Sequence, residues 1–166
     1  HLAGYGLRKG LQRRRYAGSG DRQAISATFW RVHRAWARLF WHLQQCGCEV
    51  TARSITIAAQ MLADKQKPEE ITALFGGEGK HNAAALSEEG ELVTRLAERQ
   101  LDDPAMPRDV ALEWPDFLLA DAVAALGEAT EAELLALQGE AATDVRINPV
   151  KLGDRRVLRE KFAGRG

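Results

Sequence analysis

Cysteine is scarce in this chain of 166 residues, and long apolar runs are missing. The two cysteines, Cys46 and Cys48, are separated by a single glycine, so a disulfide between them would close no useful loop. No stretch approaches the roughly 18 apolar residues of a membrane span, and the first residues lack the pattern of a signal peptide. The sequence therefore predicts a cytoplasmic protein, without a membrane partner, in a reducing compartment.

Patterns typical of catalysis or metal binding are also missing. The four histidines show no ligand spacing with cysteines or carboxylates, and Cys46-Gly-Cys48 has no second half that would complete a zinc site. No P-loop, nucleophile elbow or H-E-x-x-H motif occurs. We therefore predict no catalytic residue, no metal ligand and no cofactor site in this chain.

The formal net charge of zero conceals a strong segregation of charge along the sequence. Residues 1–60 carry ten Lys/Arg and two acids, residues 61–143 carry six against eighteen, and residues 144–166 carry seven against three. This asymmetry favours a basic face for a polyanion. The alternative is that the basic ends and the acidic middle neutralise each other inside the fold.

The most basic segment is "RRRYAGSGDRQAI", Arg13 to Ile25. It begins within the last turn of a predicted short helix, Tyr5 to Arg15, and its small residues predict a turn before the next helix. Its arginines offer phosphate contacts, and Tyr16 is either a stacking ring for a base or a packing residue. Arg22 either binds phosphate near the positive end of the next helix or pairs with a nearby acid.

From Arg22 onward, apolar residues at spacings of four and three predict one amphipathic helix about six turns long that ends near Gly47. The predicted inward side consists of Ile25, Phe29, Val32, Trp36, Leu39, Phe40 and Leu43. Arg31, Arg34 and Arg38 lie off this stripe. We therefore expect them on the basic, solvent-facing side of the helix.

The rest of the chain is predicted to be helical to about residue 140. Thr51 is a predicted N-cap, Pro68 opens a first turn, a further helix runs from Pro115 to Gly127, and Thr130 to Glu133 has the pattern of a capping box. Residues 144–151, "DVRINPVK", predict a short strand, and Asp154 is a predicted cap of a last helix. The expected organisation is an all-α domain over residues 1–140 and the beginning of another subdomain over residues 141–166.

Two stretches resemble a known family when taken together. "RYAGSGDRQAI", Arg15 to Ile25, resembles the R-[FY]-A-G-S-[KG]-D-R-x-A-I stretch in the amino-terminal, NusB-like domain of bacterial RsmB-type (Sun/Fmu, NOP-family) rRNA cytosine-5 methyltransferases. Residues 113–151 resemble the family's segment of P-x-W-L, two helices and L-R-V-N-x-L-K. The family's P-x-W-L is replaced here by Pro115-Asp-Phe117-Leu118.

The resemblance implies a NusB-like helical bundle that binds rRNA, followed by the start of a linker subdomain. It implies that S-adenosylmethionine and the catalytic thiolate belong to a methyltransferase domain of the parent enzyme, because the chain has neither the glycine-rich cofactor loop nor the Pro-Cys or Thr-Cys motif. By the same resemblance, Arg146, Asn148 and Lys151 are candidates from the linker subdomain. The alternative function is a NusB-like protein-interaction module whose partners are ribosomal proteins or other factors.

The candidate RNA contacts are eight of the ten cations in the first sixty residues. They are Lys9, Arg13, Arg14, Arg15, Arg22, Arg31, Arg34 and Arg38. Phosphate binding needs such side chains on one continuous surface, so the assignment depends on their gathering on one face of the folded domain.

Overall fold

The computed structural model describes residues 2–77, 83–87 and 89–141 and, beyond them, Arg156. The helices are α1 (Leu2–Arg13), α2 (Ser19–Arg34), α3 (Trp36–Gln45), α4 (Ala52–Leu62), α5 (Pro68–Leu74), α6 (Glu89–Leu96), α7 (Arg108–Ala111), α8 (Asp116–Leu126) and α9 (Thr130–Leu137), with a 3₁₀ turn at Gly127–Ala129. Over these ranges no strand occurs, which confirms the all-α class. The predicted strand at 145–148 lies outside the described residues, and the domain boundary at residue 140 stays a prediction.

The main core forms around α4. This helix packs against α2, α3, α5 and α6, and its Ile57 and Ala58 are fully buried. Leu43 of α3, Ile71 of α5 and Leu96 of α6 enclose them, each at most 1 % exposed. Burial of an apolar side chain of this size contributes about 1.5–3 kcal/mol, so this cluster is the main apolar contribution to the fold.

The ends of α3 and α4 follow from local sequence. Gly47, with φ 61°, adopts the left-handed conformation that ends α3, as predicted, and Cys48 N–H donates to Leu43 O at 2.9 Å. Thr51 caps α4 as predicted, because its hydroxyl accepts from Ser54 N–H at 3.0 Å. The Ser54 hydroxyl accepts in turn from Thr51 N–H at 2.9 Å, so the backbone N–H groups of both residues have hydrogen-bond partners.

The single long helix predicted from Arg22 to Gly47 is wrong. The chain breaks at Ala35, whose φ of −120° and ψ of 24° are not helical, and α3 begins anew at Trp36. The break changes which side of the following residues faces the core. Leu39 and Leu43 are buried as predicted, but Arg38 and His42 are buried with them, and Trp36, predicted to face inward, is 48 % exposed.

The new N-terminus of α3 is capped from far along the chain. One carboxylate oxygen of Glu113 accepts from Ala37 N–H at 2.8 Å, and the other accepts from Arg38 N–H at 3.0 Å. The second oxygen also accepts from Arg38 Nε at 3.0 Å. Glu113 therefore supplies the N-cap that the sequence near Ala35 does not contain.

A second, smaller core lies beyond α7. Leu112, Ala122 and Leu134 are buried together, and Trp114 and Leu119 pack against them. This cluster adjoins Glu113, so the hydrogen bonds of Glu113 connect it to α3. The capping box predicted at Thr130 is wrong, since the Thr130 hydroxyl donates to Gly127 O at 2.6 Å instead.

Among the described residues, no helix combines the length and the apolar character that a membrane crossing requires.

Candidate nucleic-acid interface

The α1 helix places a row of cations on the surface. Its inner side rests on α2, where Gly4 faces the Trp30 ring closely enough that a Cβ would lie 3.8 Å from it. Leu7 and Leu11 are half-buried on α1, and no α1 residue is fully buried. The helix is thus a covering element, and its other side leaves Arg8 and Lys9 exposed.

The end of α1 and the turn that follows it add three more cations. Arg13, Arg14 and Arg15 are all exposed, and Arg14 Nη1 donates to Gly10 O at 3.2 Å, which aligns its guanidinium along the helix. The first acid in the sequence is Asp21, so residues 2–20 contain no carboxylate. Five exposed cations therefore lie between residues 8 and 15. We call Arg8, Lys9, Arg13, Arg14 and Arg15 the basic surface.

Arg22 has a structural role at this turn. Its Nε donates to Ala17 O at 2.9 Å, and its Nη2 donates to Arg14 O at 3.3 Å. Gly18 N–H donates to an Asp21 carboxylate oxygen at 2.9 Å. The guanidinium of Arg22 thus donates to two backbone carbonyls, and its assignment as a phosphate contact stays a prediction. Arg22 therefore fixes the turn that presents the basic surface.

Two exposed tyrosines lie among these cations. Tyr16 is 86 % exposed, so the packing role considered for it is wrong. Tyr5 is 53 % exposed, and its ring lies 5.8 Å from the Arg8 guanidinium carbon and 5.6 Å from Lys9 Nζ. Both cations are within the range of a cation–π contact, so the Tyr5 ring already has partners.

Arg31 pairs with an acid from the acidic middle of the sequence, residues 61–143. Its Nη1 lies 2.6 Å from an Asp64 carboxylate oxygen. Burial raises the pKa of Asp64, and the charge of Arg31 opposes that shift. Arg31 is therefore paired within the fold while its side chain keeps 37 % of its exposure, and its assignment as an RNA contact stays a prediction.

Arg38 is buried, whereas the sequence predicts it on the solvent-facing side of its helix. It is 7 % exposed, and it pairs with Glu113 at 3.0 Å and with Asp102 at 2.6 Å. A phosphate contact would require removing it from the core, so we leave it out of the interface. Arg34 is half-buried at the end of α2, beside Trp114 and Leu134 of the smaller core.

The structure thus separates the eight predicted RNA contacts into two groups. The first group, Lys9, Arg13, Arg14 and Arg15, is exposed, whereas the second, Arg22, Arg31, Arg34 and Arg38, is partly or fully buried. Arg22 of the second group nevertheless lies beside Arg14, at the turn that it stabilises. The linker candidates Arg146, Asn148 and Lys151 lie outside the described residues and stay predictions. Sequence reasoning missed Arg8 and Tyr5, although Tyr5 lies three residues before Arg8 and four before Lys9, a spacing that places all three on one side of a helix.

The two cysteines do not offer a reactive thiolate. Cys46 is buried, and burial raises the pKa of Cys48, with the nearby Cys46 acting in the same direction. A nucleophilic cysteine needs an accessible thiolate with a lowered pKa, and the shift at Cys48 runs in the opposite direction. Within the described ranges, no cluster of three or more His, Cys, Asp or Glu side chains is arranged to hold a metal ion.

Comparison of the chain with known proteins finds no matching family model, curated protein or solved structure.

Proposed function

We propose that this chain is an RNA-binding module and that its basic surface holds the phosphate backbone. The observation that supports this is the set of five exposed cations between residues 8 and 15, in a segment without a single carboxylate. Cations of this kind bind phosphates and displace condensed counterions, which gives affinity without reading sequence. The role of the module is to position RNA.

The proposal also names the class of RNA and the parent protein. The resemblance of Arg15 to Ile25 and of residues 113–151 to RsmB-type enzymes supports a NusB-like domain that binds rRNA. In this proposal, S-adenosylmethionine and the catalytic cysteine belong to a methyltransferase domain, which methylates cytosine C5. The module contributes orientation, and Arg146, Asn148 and Lys151 extend the RNA contact from the linker subdomain.

The test is charge reversal on the basic surface. The triple variant Arg13→Glu/Arg14→Glu/Arg15→Glu should bind a structured fragment of small-subunit rRNA at least about tenfold more weakly at low salt. The slope of log affinity against log salt should also become shallower by about 2 to 3, because about 0.7–0.9 counterions are released per neutralised phosphate. Fluorescence anisotropy across a salt series measures both quantities.

A matched control has the same change of charge at exposed cations elsewhere. Lys65→Glu/Lys67→Glu/Arg108→Glu alters exposed residues outside α1 and its turn, and it should retain the salt slope of the unmodified chain. Equal loss in both variants would mean that total charge, and not the basic surface, determines binding. Unchanged binding of the arginine variant at low salt would remove the assignment.

A second candidate function, a protein-interaction module, is favoured by the surface of α8 and α9. Phe117 is 80 % exposed and Leu137 is 69 % exposed. Residues 116–141 contain six carboxylates and no Lys/Arg, so this surface is unsuited to RNA. If a ribosomal protein binds here, its affinity should fall with Phe117→Asp and should depend little on salt compared with RNA binding.

A further inference from the structure

We infer that the basic surface selects RNA with unpaired bases, and that the Tyr16 ring stacks on one of these bases. This inference rests on the proposed function, and it adds the substrate class of the same site. It starts from the exposure of Tyr16, whose ring is 86 % accessible in the folded chain.

The surroundings of Tyr16 distinguish it from the other aromatic residues. Phe29, Trp30 and His33 pack together on α2, with ring centroids 5.2–6.1 Å apart, and Tyr5 contacts two cations. The Tyr16 ring, by contrast, has no ring or cation contact with any described residue. Both of its faces are therefore available to a ligand.

The backbone on either side of Tyr16 is held in place. Ala17 N–H donates to Arg14 O at 3.2 Å, and Arg22 binds the carbonyls of Arg14 and Ala17. Ala17 itself is buried. The ring therefore projects from a fixed turn, and a ligand that stacks on it does not have to order the backbone first.

Charge and ring together define the ligand. Arg13, Arg14 and Arg15 immediately precede the ring, so a strand whose phosphates contact these arginines passes beside Tyr16. An aromatic ring next to a cationic track is the arrangement by which proteins bind single-stranded nucleic acid, because each base has a face that can stack. In a continuous duplex the bases are already stacked and paired, so the ring has no partner there.

The test compares two strands that carry the same number of phosphates. One is a short oligoadenylate, and the other is an abasic ribose-phosphate strand of the same length. Tyr16→Ala in the full chain should weaken binding of the oligoadenylate by about 5- to 150-fold, the range for loss of one base–aromatic stack. Binding of the abasic strand should stay unchanged.

Three further variants distinguish stacking from other effects. Tyr16→Phe should restore affinity for the oligoadenylate, whereas Tyr16→Leu, which is apolar without a ring, should not. Tyr5→Ala, the control at the ring already in contact with Arg8 and Lys9, should have the smaller effect. Thermal melting should show the same fold stability for Tyr16→Ala, since the ring is exposed.

The result separates this inference from the proposed function. If the triple arginine variant weakens binding of both strands while Tyr16→Ala leaves the preference for oligoadenylate intact, the surface binds phosphate and the stacking role is overturned. If the triple arginine variant binds each strand as tightly as the unmodified chain does, the phosphate assignment fails. An equal affinity of the unmodified chain for the two strands also overturns the stacking role.

Discussion

The carboxylate of Glu113 accepts three hydrogen bonds, from the backbone N–H groups of Ala37 and Arg38 and from Arg38 Nε. The side chains of Glu113 and Arg38 are only 12 % and 8 % exposed, so the pair is largely removed from water. Removing one partner of such a pair leaves the other charge buried without compensation. At the scale of single residues, this pair is the contact that connects the two cores.

We predict that Glu113→Ala lowers the free energy of unfolding by about 3 kcal/mol, the lower end of the range for breaking a buried pair. The lower end applies because Arg38 retains Asp102. Asp102→Ala is the control, and it should cost about 1 kcal/mol or less because the Asp102 side chain is 81 % exposed. Urea denaturation measures both values, and equal losses would contradict the special role of Glu113.

His42 is a second residue whose chemistry depends on burial. It is fully buried, and its Nε2 lies 3.1 Å from Leu101 O. Desolvation lowers the pKa of His42, and the positive charge of Arg99 acts in the same direction, whereas the hydrogen bond to Leu101 and the charge of Asp103 oppose the shift. The neutral imidazole is therefore the form that the fold favours.

We predict that the chain loses stability as the pH falls below the ordinary histidine pKa of about 6.5. In that range the unfolded chain binds a proton at His42 that the folded chain does not. The free energy that neutral His42 contributes to folding is therefore present above this pH and is lost below it. The slope cannot exceed about 1.4 kcal/mol per pH unit for one proton. In urea denaturation at several pH values, His42→Gln should flatten this slope, whereas His33→Gln, a change on the exposed side of α2, should retain it.

At the scale of elements, the connection between α4 and α5 holds Lys65 in a backbone conformation that is unfavourable for residues other than glycine. Lys65 has φ 56°, in the left-handed region where a side chain costs about 1–2 kcal/mol. Lys67, two residues later, has φ −78° and ψ 155° and precedes Pro68 at the start of α5. Both side chains are exposed, so replacing either residue with glycine changes its backbone preference without changing the packing of the core.

We predict that Lys65→Gly raises the free energy of unfolding by up to about 1 kcal/mol, because glycine adopts the left-handed conformation without strain. Lys67→Gly should lower it by about 0.5–1 kcal/mol, because glycine there only increases the entropy of the unfolded chain. Thermal melting of the two variants should shift the midpoint in opposite directions. A lower midpoint for Lys65→Gly would show that its side chain has a stabilising contact.

At the scale of the whole molecule, the cations of the first sixty residues divide into those paired with acids and those left exposed. Arg31, Arg38 and Arg53 pair with acids of the middle third, namely Asp64, Asp102 and Glu113, and Glu89. These pairs follow the reading in which basic and acidic segments neutralise each other. The cations of residues 8–15 remain exposed, which leaves them available for the polyanion that the other reading predicts.

This division determines the salt dependence expected of the molecule. Cations that are neutralised within the fold do not exchange counterions with a nucleic acid, so residues 1–60 should contribute about five to Z, the number of cations in the basic surface, and not about ten. The ion pairs within the fold should contribute to stability and leave the slope unchanged.

The sequence by itself determined the helical class, the Thr51 cap, the end of α3 at Gly47 and the concentration of cations before Asp21. These features depend on neighbours within a few residues, which local patterns report. The tertiary structure alone decided the break at Ala35 and the burial of Arg38, because both depend on Glu113, more than seventy residues away in sequence. It also decided that Arg22 fixes a turn while Tyr16 faces solvent, since only the folded chain shows where a guanidinium finds its acceptors and which ring is left exposed.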